Sequence, residues 1–279
     1  MATWYISTTG NDTTGNGSVG SPWATLAKAI ASSALSDTIY CASGTYTALP
    51  SAIPARNIIA STIGGAVFDG SGATANVTVG TDLLETTITG LVFRNFVSGS
   101  YGIFRSAYGT MNTFDRCVFS GFQMLYRGAN QDGGIVSGSW TLNKYAPFTI
   151  NGCLGFDLSA KIGAPDPVIL FGNRANSIIK NSTFQLAGTW FYGIVDFTSG
   201  KLITCANNIF DSLASVPWGS APAATPIHCC YHNVTSFPSG TGNINADPLF
   251  WDAPNGDFRL RAKDGSGNPN PVLGAGVML

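Results

Sequence analysis

One register recurs along this sequence, most clearly in two neighbouring stretches, Thr87–Arg105 (TITGLVFRNFVSGSYGIFR) and Asn112–Gly128 (NTFDRCVFSGFQMLYRG). With Phe93 laid on Phe119, Ile88 and Phe114 stand five residues before, Gly90 and Arg116 three before, and Phe96 and Phe122 three after. The frame returns at Phe184, with Ile179, Asn181 and Ala187 in those slots, and at Phe210, with Cys205, Asn207 and Leu213. Phe93 and Phe119 are 26 residues apart, as are Phe184 and Phe210, and the 65 residues from Phe119 to Phe184 leave room for two longer turns. Phe148–Leu158 reads as a degenerate middle copy with Gly155 where the Phe belongs.

A period of this size, with a short strand in each copy, is the signature of a solenoid. A single copy cannot bury its own Phe, so the copies must stack. Like-on-like stacking places Phe93, Phe119, Phe184 and Phe210 in one internal column and Ile88, Phe114, Ile179 and Cys205 in a second. Asn181 and Asn207 would form a polar ladder at a corner, where Asn tolerates the left-handed conformation. The fold class is therefore all-β: a single-domain β-solenoid with parallel strands between coils.

Composition agrees. Charged residues make up 10% of the 279-residue chain, against roughly 25% in an average globular protein, and 34 residues are Gly. Aromatic content of 11% and hydrophobic content of 44% supply a core and argue against disorder. Glu85 is the only Glu among 15 acids, a skew from helix formers to turn formers. The net charge of −1, with no basic run, leaves no electrostatic footprint for nucleic acid. No stretch approaches the ~18 apolar residues of a membrane span, and MATWYISTTGND has neither the basic nor the apolar region of a secretory leader. No nucleic-acid or membrane partner is expected. Cys41, Cys117, Cys153, Cys205, Cys229 and Cys230 are too dispersed for a disulfide scaffold and read as buried free thiols.

In chain order, residues 1–36 hold a short strand, Thr3–Ser7, and the one good helix signal. Ser21 reads as its N-cap and Pro22 as its first residue, with Trp23, Leu26, Ala27, Ile30, Ala31 and Ala34 forming an apolar stripe that ends near Leu35. Such a helix would close the open end of the first coil. Residues 37–240 are stacked coils. Ile58-Ile59 and Ala66-Val67-Phe68 are early strand cores, projecting turns lie in Gln131–Gly172, and a Pro-rich excursion fills Ala214–Ser239. Residues 241–279 close the solenoid, and about eight coils at ~4.8 Å give a shaft roughly 40 Å long.

Both ends carry a resemblance. Tyr5-Ile6-Ser7, Gly10-Asn11-Asp12, Ser21 to Leu26, Asp37-Thr38-Ile39-Tyr40 and Gly44-Thr45-Tyr46 resemble the cap and first coil of right-handed parallel β-helix proteins of the pectin-lyase-like superfamily. Asp247-Pro248-Leu249-Phe250, Asn255 to Leu260 and Gly274-Ala275-Gly276 resemble its closing segment. The resemblance implies right-handed coils. It implies no single function, because the superfamily holds polysaccharide lyases, hydrolases, epimerases, phage tailspikes and structural proteins.

Chemistry is sparse. On one strand His228, Cys230 and His232 would share a face, which raises zinc. Ligands two apart on one strand sit about 7 Å from each other, which favours packing instead, and no metal or cofactor is expected. Glycoside hydrolysis needs two carboxylates on one site. Asp115 meets Thr89, Lys180 and Ala206 in its slot, and Asp211 meets Arg94, Ser120 and Gln185, so neither slot forms an acidic column. Asp157 and Asp196 lie outside the frame, and no catalytic residue is assigned. Arg94 and Arg116 fall one slot apart in neighbouring coils and read as surface charges, with a basic spot for an anionic sugar as the alternative. Trp190, Tyr192 and Trp218 are the candidate sugar platforms.

The reading from sequence is a structural or receptor-facing bacteriophage virion protein, a capsid decoration or a tail spike or fibre component. It would be assembled in the host cytoplasm, or extracellular had a leader been removed. Expected partners are other virion proteins or further copies of itself, with a trimer as the common arrangement of related spikes, and cell-surface polysaccharide. The alternative is a polysaccharide lyase or glycoside hydrolase acting on a bacterial surface or plant-type polysaccharide.

Overall fold

A computed structural model of the chain describes residues 1–75, 77–79, 84–98, 104–106, 112–123, 126–127, 148–159, 169–171, 177–186, 194–196, 203–212, 226–234 and 239–276. Successive coils visit three main parallel sheets in turn, and two coils add a two-stranded parallel pair, Thr74–Ala75 with Val97–Ser98. The first sheet has eight strands, from Thr3–Ile6 at one end to Ile203–Ala206 at the other, and the second has nine, from Gly44–Tyr46 to Ile244–Asn245. The third has six short strands, Ala52–Ile53 to Ile194–Asp196. The fold is a parallel β-helix. Among the described residues no helix is long and apolar enough to cross a membrane.

The periodic Phe residues do what their spacing predicts. In the second sheet Phe93 pairs in register with Phe68 and Phe119, Phe119 with Gly155, Gly155 with Phe184, and Phe184 with Phe210. The rings stack along the axis at 5.7 Å (Phe68–Phe93), 5.6 Å (Phe93–Phe119) and 5.9 Å (Phe184–Phe210). Tyr46 extends the column at one end and Tyr231 at the other. The second column runs Ile88, Phe114, Ile150, Ile179, Cys205 in the first sheet. Phe104, fully buried in the third sheet, meets both columns edge-on or tilted, at 5.0 Å from Phe93 and 5.2 Å from Phe114.

The corner after each of the first-sheet strands from Thr86–Thr89 to Ile203–Ala206 takes one residue in the left-handed region: Gly90 (φ 72°), Arg116 (50°), Gly152 (61°), Asn181 (54°) and Asn207 (56°). His228 (51°), after the bridge residue Ile227, and Gly242 (70°) take the same conformation in the coils that follow. On the outside, Asn207 Nδ2 donates to Asn181 Oδ1 (3.2 Å), Asn181 Nδ2 to Asn151 Oδ1 (2.9 Å), and Asn151 Nδ2 to Asp115 Oδ1 (2.7 Å).

A second ladder runs inside and answers where the corner's inward N–H groups go. Cys117, Cys153, Ser182, Asn208, Cys229 and Asn243 each follow a corner residue. The N–H of Cys117 donates to Cys153 Sγ (3.4 Å), that of Cys153 to Ser182 Oγ (3.1 Å), that of Ser182 to Asn208 Oδ1 (3.0 Å), and that of Cys229 to Asn243 Oδ1 (2.9 Å). All six cysteines are buried, but these members of the ladder are more than fillers. Burial raises the Cys153 thiol's pKa, so it keeps its proton, and it donates to the Phe114 carbonyl.

The cap departs from the sequence reading. The helix is Leu26–Ser32 with Thr25, not Ser21, as N-cap; Thr25 Oγ1 accepts from Lys28 N. Pro22 and Trp23 lie in an extended segment instead: Trp23 bridges Ile6, and its indole stacks on Trp4 at 5.1 Å. The apolar stripe misled because Trp23 covers the open strand edge rather than a helix face. Asp12 fixes the junction by accepting from Ala24 N, Thr25 N and Thr25 Oγ1.

Two buried charged groups hold the cap to the shaft. Arg56 donates to Ser33 Oγ and Ser33 O, so it satisfies carbonyl and hydroxyl groups just past the helix C-terminus. Asp37 accepts from Trp4 Nε1 (2.9 Å), Ala2 N (2.6 Å) and Ala34 N (2.9 Å). The indole hydrogen bond first, then the amides, lower its carboxyl pKa from 3.8 to about 2. A depressed folded-state value means that this stabilisation is complete above the unfolded value and is lost as pH falls through the folded one. The urea midpoint is therefore expected to fall between about pH 4 and pH 2. Asp37→Asn is expected to be less stable at neutral pH and to show a shallower acid slope in the same titration.

Candidate functional site

The candidate site comes from how the closing segment returns to the shaft. Outward-facing positions of the second sheet form a ladder in which Asp69 meets Arg94, Arg94 meets Ser120, and Ser120 meets Phe156. Further along, Gln185 meets Asp211 and Asp211 meets His232. After the last coil, Phe250–Asp252 and Asp257–Leu260 pair antiparallel across a turn closed by Gly256 in the left-handed conformation (φ 81°). This hairpin lies on the outer face of the sheet: Phe258 packs on Phe156 at 5.2 Å and on Phe250 at 5.0 Å. The apolar outward Phe156, in a ladder otherwise polar, is the sequence's provision for that docking.

Between hairpin and sheet lies a cleft of about 350 Å³. On the sheet side are Asp211 and His232. The other lining residues come from the closing segment and include Asp247, Phe250, Trp251, Asp252 and Arg261. Asp211 is buried, with 5% exposure, and its Oδ1 accepts the Nδ1 proton of His232 at 2.8 Å and the Ser212 hydroxyl at 3.2 Å. Trp251 is 57% exposed. The guanidinium groups of Arg259 and Arg261 lie 5.9 and 5.4 Å from its ring centroid, within cation–π range. Arg261 Nη2 also donates to the Trp251 carbonyl, which fixes where its charge sits. Asp247 accepts from Leu249 N and Asp252 from Asn255 Nδ2, so both are tied into local turns.

Other sequence candidates are placed differently. His228 is in the left-handed corner, off the strand Cys230–His232, and its Nδ1 donates to the Ala275 carbonyl (2.8 Å). The corner breaks the two-residue alternation, so His228, Cys230 and His232 do not share a face. Among the described residues no three His, Cys, Asp or Glu side chains converge as metal ligands. Arg94, on the strand Val92–Arg94, pairs with Asp69, and Arg116, in a corner, pairs with Asp115, so each charge is committed to its own carboxylate and they form no joint basic spot. Asp157 and Asp196 lie on the strands Leu154–Ser159 and Ile194–Asp196. Trp190, Tyr192 and Trp218 lie outside the described residues. Sequence reasoning passed over Trp251, Asp252 and Arg261, and weighed His232 only as a metal ligand; a solitary Trp between Phe250 and Asp252 gives no motif to notice.

No protein-family model and no curated protein matches the sequence. Solved structures do. Pectate lyase Pel9A aligns over 87% of this chain and 74% of its own at 15% identity, with a TM-score of 0.47. Pectin methylesterase PemA from Erwinia chrysanthemi aligns over 85% and 81% at 11% identity (TM-score 0.39). A rhamnogalacturonan lyase aligns over 83% and 68% at 13% identity (TM-score 0.39). The likeness is one of fold.

Proposed function

We propose that the chain is a polysaccharide-engaging β-helix protein and that the cleft under the closing hairpin is where it holds a sugar segment. One observation carries this: Trp251, largely exposed, lines a cleft that also presents Asp247, Asp252 and Arg261. A flat ring covers the apolar face of a pyranose, and surrounding charged groups bond its hydroxyls. Binding measured by calorimetry against a panel of bacterial-surface and plant polysaccharides tests it. Trp251→Ala is expected to weaken the best ligand roughly 10- to 100-fold. Unchanged affinity in that variant would remove the cleft from the account.

The receptor-facing virion reading uses the same cleft, since a tail spike or fibre component meets its host through surface polysaccharide. It requires a homo-oligomer, with a trimer expected, and light scattering separates it from a free-standing lyase or glycoside hydrolase acting as a monomer.

A further inference from the structure

Inside that cleft the groups are not equivalent as proton carriers. Asp211, Asp247 and Asp252 each already accept a hydrogen bond from a protein donor. His232 Nδ1 lies 2.8 Å from Asp211 Oδ1 and 3.3 Å from Asn233 Nδ2. The shorter contact is to a carboxylate, which only accepts, so Nδ1 carries the proton, and Nε2 meets no hydrogen-bond partner among the described residues. A carboxylate on Nδ1–H fixes the tautomer that leaves Nε2 as a base, and it stabilises the imidazolium once a proton arrives. The guanidinium of Arg261, anchored on the Trp251 carbonyl, supplies positive charge in the same cavity. Glycosidic hydrolysis asks for a carboxylic acid and a carboxylate flanking the scissile bond. Asp247 and Asp252 are held in local turns of the closing segment, whereas an imidazole base with a cation in the same cavity suits a different reaction, addition of water to a carbonyl.

We propose that Asp211–His232 is a general-base dyad that hydrolyses O-acyl esters on the polysaccharide held by this cleft. This rests on the polysaccharide reading above and adds a chemistry to it. With a sugar ring on Trp251, an acyl substituent that reaches the sheet side of the cleft meets His232. His232 Nε2 takes a proton from water as the water oxygen bonds to the acyl carbon. The carbonyl electron pair moves onto oxygen, giving a tetrahedral oxyanion beside Arg261. On collapse the bond from the acyl carbon to the sugar oxygen breaks, and the imidazolium returns its proton to that oxygen. The products are a free sugar hydroxyl and a carboxylic acid, with water the only co-reactant. His232 is the catalytic residue and Asp211 its positioning residue.

The test uses the full chain with matched O-acetylated and de-O-acetylated polysaccharides, measuring binding by calorimetry and acetate release in parallel. Acetate release by the wild type is expected. His232→Gln should lower it by about 10²–10⁴-fold with binding within roughly threefold of wild type. Asp211→Asn should lower kcat by about 100-fold or more at unchanged KM, and Asp211→Glu should recover part of that loss. Retained binding in each variant doubles as the check that it is folded. Binding without acetate release by the wild type, or wild-type release by His232→Gln, overturns the dyad and leaves the polysaccharide reading standing. Failure to bind either form of any polysaccharide overturns that reading first, and the dyad with it.

Discussion

Phe119→Ala is expected to destabilise the shaft by about 3–5 kcal/mol, the range for deleting a fully buried aromatic ring. Among the described residues Phe119 packs on the rings of Phe93, stacked at 5.6 Å, Phe114, edge-on at 5.6 Å, and Phe104, edge-on at 6.2 Å. Its neighbour on the other side in the column is Gly155, so the loss would extend a ring-free stretch already present. In a solenoid each coil contacts only its neighbours, and weakening one interface uncouples the two halves. Urea unfolding followed by far-UV circular dichroism should therefore show a lower midpoint and a broader or two-step transition. A variant with the wild-type midpoint would mean that the column is not what holds the coils in register.

Asn208→Leu is expected to cost on the order of 4 kcal/mol, although the substitution adds apolar surface to the core. Asn208 is fully buried; its Oδ1 accepts from Ser182 N and its Nδ2 donates to Ile179 O at 3.0 Å. Leu strands both backbone groups in an apolar interior, and each costs roughly 1–3 kcal/mol when left unpaired. Outside, at the same corner, the expectation reverses. Asn207 sits at φ 56°, where Gly has no steric penalty, so Asn207→Gly should cost about 1 kcal/mol or less, the worth of its exposed ladder bond. Equilibrium urea midpoints of the two variants make the comparison, and equal losses would refute the inner ladder as the corner's principal support.

Much of the shaft was legible because its cause is periodic. The slot assignments around Phe93 and Phe119 hold in register pair by pair, including Gly155 as the vacant position and Asn181 and Asn207 as a corner ladder. The slot comparisons of Asp115 with Thr89 and of Asp211 with Gln185 hold as well. Errors arose where local pattern competed with long-range pairing. Trp23 falls on a helical stripe yet is drawn to the first strand's edge, and His228 alternates with His232 yet occupies a corner with positive φ. The inner ladder leaves only buried thiols to see in the sequence because its partners lie on different coils; Cys153 and Ser182 are 29 residues apart. The cleft was illegible for the same reason. Asp211, His232, Trp251 and Arg261 come from separate stretches, and only the return of the hairpin onto Phe156 brings them together.

Hydrogen exchange of the full chain, with and without a polysaccharide that calorimetry shows to bind, tests most directly whether the cleft is the site. Slowed exchange is expected over Leu249–Arg261 and at Tyr231–Asn233, the segments that form the two walls. Protection confined to segments carrying Trp190, Tyr192 and Trp218, with both walls unchanged, would contradict it.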